Sequence, residues 1–285
     1  MENIALVNPK SYSKIIMKKL LTTIFILSLA TILCADILDS SAYPVPAKDE
    51  TLKQAIKWYR VSAEKKALYR QAFALGTRYV EKLVKEQKLE PKTWGVVLDV
   101  DETALDNSAY YAKYMNCLDD ESVFEAHVTI QGTSVALPGV KEFTQKVHDL
   151  GGYVSMVTNR DGSFEDKEGN VVDATIKMLK REGIYIDQLV TANYKDAKNP
   201  SDKNPRFKAV ETGDNYDSSL MIWSNKLPAH KVIAYFGDNI QDFPLLKQKK
   251  LMDVLGESDV FNKFGNGYFI LPNPMYGSWE SNEFK

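Results

Sequence analysis

Residues 94–100 read WGVVLDV, and no other stretch limits the fold as sharply. A short apolar run without polar alternation is expected of a strand buried on both faces, at the centre of a largely parallel sheet. Three further runs supply neighbours: residues 153–158 (YVSMVT), 188–191, and 231–236 (KVIAYF). Helical patterns fall between them, at about 140–150, closed by Gly151 and Gly152, and at about 173–182. Strands alternating with helices at this spacing predict an α/β domain.

The central strand runs straight into acid. Asp99, Val100, Asp101, Glu102 and Thr103 follow without a break, although a buried carboxylate is destabilising unless it is paired or bound to metal. Strand alternation puts Asp99 and Asp101 on one side of the chain. Ligands of open α/β sheets gather beyond the carboxyl ends of the strands. By itself the run also reads as a helix start capped by Asp101 or Thr103. The other strand ends favour a site: YVSMVT ends at Thr158, with Asn159 and Arg160 beyond it, and KVIAYF runs into Gly237 and the acids Asp238 and Asp242. Carboxylates gathered without a His or Cys cluster suit magnesium rather than zinc.

Before this domain, residues 20–35 (LLTTIFILSLATILCA) follow Lys18 and Lys19. The stretch is short for a bilayer span and suits the core of an export signal; a single membrane anchor is the competing reading. Met17 directly precedes the lysines, so residues 1–16 read as an upstream extension. Cleavage after Ala35 and lipidation of Cys34 are both open, and with Cys117 the only other cysteine no intrachain disulfide is expected. Loss of residues 1–35 leaves 32 basic against 37 acidic residues, without the basic excess of a nucleic-acid binder. Residues 36–92 form a linker, with Pro44 and Pro46, and a helical segment. There, apolar residues from Leu52 to Val84 recur at three- and four-residue steps, reading as one long or two shorter helices with Gly76 as the break. Residues 93–285 make up the main domain. The cluster Lys247, Lys249 and Lys250 reads as a solvated helix face.

Residues 97–110, VLDVDETALDNSAY, resemble the first signature of bacterial class C acid phosphatases, the lipoprotein 5′-nucleotidase branch of the haloacid dehalogenase superfamily. Residues 233–243, IAYFGDNIQDF, resemble the second. VTNR at 157–160 and LPNPMYGSWE at 271–280 carry the resemblance over most of the chain after the leader. Ala104 and Ile240 depart from the usual aliphatics, and residues 124–128 lack the tryptophans of the family, which bears on how substrate is stacked.

The resemblance implies a Rossmann-like parallel sheet with helices on both faces, and a small, mainly helical cap at about 110–137. It implies a magnesium-dependent acid phosphatase that hydrolyses phosphomonoesters, above all 5′-nucleotides. Asp99 would attack phosphorus to give an aspartyl-phosphate. Asp101 would protonate the leaving alcohol and then deprotonate water, so it must carry a proton when substrate arrives. Mg2+ would bridge Asp99, the main-chain carbonyl of Asp101, and Asp238, with Asp242 nearby. Thr158 and Asn159 would hold phosphate oxygens. Lys203, shortly before Arg206, matches the family's lysine, with Lys195 and Lys198 as nearby alternatives. Tyr110 and Tyr276 are candidates for stacking on a nucleobase or phenyl ring. His127, His148 and His230 are too scattered to read as a site.

The expected partners are small phosphomonoesters such as nucleoside monophosphates, and no nucleic-acid polymer. Membrane attachment through a lipidated Cys34 and a homodimer are left open. The expected place is the cell envelope: the periplasm, or the outer membrane if Cys34 is lipidated. Two other functions are weighed: phosphoryl transfer to an alcohol by the same chemistry, and an envelope lipoprotein that binds ligand without catalysis. Retention of Asp99, Asp101 and Asp238 speaks against the second.

Overall fold

The computed structural model describes residues 48–113 and 124–283; the expected export signal and linker, to residue 47, and Cys34 and Cys117 lie outside the described residues. Two helices come first, α1 (Lys48–Val61) and α2 (Ala63–Gln87). The break falls at Ser62, whose hydroxyl accepts from the Lys65 amide at 3.1 Å and caps α2. It does not fall at Gly76, which sits inside α2. A glycine there is disfavoured by about 1 kcal/mol relative to alanine, but packing requires it: a Cβ would lie 2.3 Å from Cζ of Phe236. The Phe236 ring also stacks on Phe73 and Phe269, at 5.3 and 4.8 Å between centroids.

The six-stranded sheet is built from β1 (Trp94–Leu98), β2 (Tyr153–Asp161), β3 (Gln188–Ala192), β4 (Met221–Trp223), β5 (Lys231–Gly237) and β6 (Tyr268–Ile270), in the order β6-β5-β1-β2-β3-β4. Every pairing is parallel except β3 with β4, at one edge. All five residues of β1 are buried, as the apolar run requires. Their alternation feeds two cores. Trp94, Val96 and Leu98 pack with residues of α2, of α4 (Val140–Asp149) and of α5 (Val171–Arg181). Val97 packs on the other face with Phe207 and Val210 of α6 (Asn204–Thr212) and with Phe243. The expected α/β sheet with helices on both faces is therefore present. Between β1 and α4 lie α3 (Ser108–Lys113), a π-helical segment Glu125–Ile130, and a small ladder pairing Leu105–Asp106 with Val135–Ala136.

Strand order decides where a ligand can sit. β1 has β2, the next strand of this sheet along the chain, on one side and β5, reached only after the chain returns, on the other. The crevice beyond the carboxyl end of β1 is the switch point at which open α/β sheets take ligands.

Candidate active site

The loop after β1 opens onto that crevice. The Asp99 amide still donates to Phe236 O at 2.9 Å, continuing the ladder with β5. Val100 O then accepts from both Ala104 N and Leu105 N, at 2.9 and 2.8 Å, which curls the chain. No helix starts here; α3 begins at Ser108. Glu102, at φ 53°, turns inward and is fully buried. Its carboxylate accepts from Asn107 N at 2.8 Å and from the Tyr276 hydroxyl. The Tyr69 hydroxyl of α2 donates to the Glu102 carbonyl.

Three acids from two strand ends meet. Ligand oxygens of Asp99, Asp238 and Asp242 lie within 4.8 Å of one another. Asp238 accepts from Thr103 Oγ1 at 3.1 Å and from Asn273 Nδ2 at 2.8 Å. Asp242 accepts from the Asn239 amide at 2.8 Å, closing a capping box on the short turn Ile240–Asp242. Gly237 makes room for that turn, since a Cβ there would lie 2.2 Å from Cβ of Asp242. The donors are all oxygens, which fits a hard divalent cation. The carboxylate of Asp101 stands outside this group. Arg160 holds it through Nε, at 3.1 Å from each oxygen, and through Nη2 at 2.7 Å, and Asn107 Nδ2 adds a bond of 2.7 Å.

Lys203 is the lysine that reaches the acids. It is 3% exposed, and its ammonium donates to Asp99 and, at 2.7 Å, to Asp242, whereas Lys195 and Lys198 are exposed. Burial pushes the Asp99 carboxyl up to about 7; Lys203 opposes that shift, and Asp242 and Asp101 add to it. Burial also lifts Asp238 well above the usual range, with repulsion from Asp242 and Asp99 behind it.

A cleft of about 260 Å³ opens over these groups. Thr158, Asn159 and Arg160, at the end of β2, form one side of it. Tyr110, Tyr111, Phe124 and Tyr276 form an aromatic wall. Tyr111 meets Tyr276 at 4.8 Å and Tyr110 meets Phe124 at 5.4 Å between centroids. The cleft thus gathers every residue the sequence singled out for the site: Asp99, Asp101, Tyr110, Thr158, Asn159, Lys203, Asp238, Asp242 and Tyr276. The three histidines do not line it. His230 is buried, with Nδ1 2.8 Å from Pro228 O, and His148 stacks on Tyr185.

Other groups in and around the cleft had no role in the sequence reading: Glu102, Asn107, Tyr111, Phe124, Glu125, Arg160 and Asn273. Glu125 belongs to the π-helical segment, a conformation frequent at functional sites. It accepts from Asp161 N at 2.6 Å and Thr129 Oγ1 at 2.7 Å. Burial raises its carboxyl to about 7, against the lowering pull of Arg160 and Thr129. Burial, with repulsion from Asp101, raises Glu102 to about 8.

These buried carboxyls set a pH dependence for the metal-free protein. Glutamate in an unfolded chain titrates near 4.3, about three units below these values. Between about pH 4 and 8 the folded chain keeps protons that the unfolded chain has lost, so stability falls as pH rises. We expect the chelated protein to melt roughly 10 °C or more lower at pH 8 than at pH 5. A melting temperature that rises across this range would contradict neutral buried carboxyls.

The family model described as "HAD superfamily, subfamily IIIB (Acid phosphatase)" matches residues 34–279. The chain is also similar in structure to the class C acid phosphatase from Bacillus anthracis, at TM-score 0.62 and 27% identity, over 82% of this chain and 87% of that one. The same enzyme with tungstate bound matches at TM-score 0.63 and 27% identity, over 83% and 89% of the two chains.

Proposed function

From the premise that the chain belongs to the subfamily IIIB acid phosphatases of the HAD superfamily, we propose that it is a magnesium-dependent hydrolase of 5′-nucleotides that works through a phosphorylated Asp99. One observation carries this reading: Asp99 lines the cleft at the end of β1, shares Lys203 with Asp242, and has Asp101 held beside it by Arg160.

An Asp99 carboxylate oxygen attacks phosphorus, forming an acyl-phosphate bond as the bond from phosphorus to the ester oxygen breaks. Asp101 gives its proton to the departing oxygen. It then takes a proton from the water that attacks the acyl-phosphate, which releases inorganic phosphate and restores Asp99. Arg160 and Asn107 fix the Asp101 carboxyl for both transfers. Lys203 holds Asp99 in place and offsets the charge of the neighbouring acids. The Thr158 hydroxyl and the Asn159 amide hold the non-bridging oxygens.

Asp99, Asp238, Asp242 and the main-chain carbonyl of Asp101 would hold the divalent cation, which would shield the arriving phosphate dianion from these acids. The aromatic wall supports a ring-bearing leaving group, with Phe124 and Tyr111 supplying faces where the family's tryptophans are missing. We place the reaction in the cell envelope on the strength of the leader at residues 20–35.

A panel of nucleoside 5′-monophosphates, aryl phosphates and glycerol phosphate tests the specificity. Stacking is worth about 1–3 kcal/mol per base, so nucleotides should exceed glycerol phosphate in kcat/KM by roughly ten-fold or more. Equal values would remove the aromatic wall from substrate recognition.

A further inference from the structure

Arg206 lies on α6, three residues after Lys203, and is 1% exposed. The chemistry above gives it no task. Nη1 donates to Pro200 O at 3.0 Å, Nη2 donates to Asn159 Oδ1, and Nε has no partner among the described residues. Lys203 and Arg160 each meet carboxylates, but among the described residues Arg206 forms no ion pair. Burial lowers its guanidinium to about 10, which leaves it charged at working pH. A buried, unpaired cation is destabilising, so its bond to Asn159 calls for a reason.

That bond fixes a polarity. A carboxamide carries acceptor lone pairs on one atom and two donor hydrogens on the other, while a guanidinium carries donors only. The oxygen of Asn159 must therefore face Arg206, which leaves the amide nitrogen on the opposite side. Asn159 is exposed and lines the cleft beside Thr158. An amide free to rotate about its last bond spends part of its time with its oxygen toward the cleft, and an arriving anion would first have to turn it.

We propose that Arg206 is a positioning residue for anion binding: it locks the Asn159 side chain so that its NH2 group, and not its carbonyl oxygen, faces the phosphoryl oxygens. The positive charge behind the amide polarises it in the same sense. This rests on the reading that the cleft holds a phosphoryl group.

The test is competitive inhibition by inorganic phosphate of the magnesium-loaded mature protein turning over p-nitrophenyl phosphate. If phosphate does not inhibit the unmodified protein, the phosphoryl-site reading fails, and this inference falls with it. If phosphate inhibits, Arg206→Met should raise Ki about ten-fold, the size of one lost charge-assisted hydrogen bond. KM should rise in step, and kcat should move less. In an Asn159→Ala background the same substitution should change Ki by less than about two-fold, because the group it orients is gone. A ten-fold effect in both backgrounds would mean that Arg206 acts by charge or packing alone, and would overturn the assignment. Should Arg206→Met not fold, Arg206→Lys retains the cation but gives up the fixed fork. It should raise Ki several-fold with the same dependence on Asn159, and an unchanged Ki would overturn the assignment.

Discussion

Asp99→Asn is expected to reduce turnover of p-nitrophenyl phosphate by about four orders of magnitude or more, the scale seen when a nucleophile is removed from an enzyme that works through a covalent intermediate. The amide keeps the size of the side chain and cannot form the acyl-phosphate. The fold should survive. Burial already raises the Asp99 carboxyl to about 7, so a neutral group at this position is tolerated, and Lys203 keeps its 2.7 Å partner Asp242. Circular dichroism, and a thermal melt of the chelated proteins, should match the unmodified protein. A folded variant within ten-fold of normal turnover would remove Asp99 from the reaction.

Removing the divalent cation is expected to have the next largest effect. Charge stabilisation by a bound metal amounts to several kcal/mol, so exhaustive chelation should lower kcat by roughly 10³-fold or more, and magnesium should restore it. The reason lies in the cluster itself. Asp99, Asp238 and Asp242 have ligand atoms within 4.8 Å of one another, and the ammonium of Lys203 reaches only Asp99 and Asp242. A phosphate dianion entering such a site meets uncompensated acid. Magnesium should also raise the melting temperature of the chelated protein, since it binds the folded chain and not the unfolded one. Full activity after chelation, or a melting temperature indifferent to magnesium, would contradict the cation site.

The parts of this site legible in the sequence are those that break a local rule. Acid continuing a buried strand is such a break, and it identified Asp99 and Asp101 at β1 and Asp238 and Asp242 beyond β5. Lys203 was harder to single out, since it stands 104 residues from Asp99 and has Lys195 and Lys198 close by in the chain. Its place shortly before Arg206 favours it, but only the fold shows that it is buried where the other two are exposed. Strands β4 and β6 escaped notice because three residues are too few to display a period. Gly76 was misread as a helix break because its reason is the ring of Phe236, 160 positions further along the sequence. Glu102 is sent inward by the curl after Val100 and its left-handed backbone at φ 53°, which the run of acids does not announce. Arg160 stood at a strand end and in the VTNR match, but nothing in the sequence pairs it with Asp101; Glu125 carried no signal, since a surface glutamate has the same appearance in sequence.

The central claim is that phosphate passes through Asp99, and Asp101→Asn with p-nitrophenyl phosphate tests it most directly. Nitrophenolate is a good leaving group and needs little help from an acid, so the first step should proceed. The second step needs a base to take a proton from water, and in this variant the base is gone. The expected result is a burst of about one nitrophenolate per protein, as acyl-enzyme accumulation gives, with phosphate found by mass spectrometry on the peptide carrying Asp99. Slow turnover without a burst, with phosphate absent from that peptide or attached elsewhere, would contradict the account.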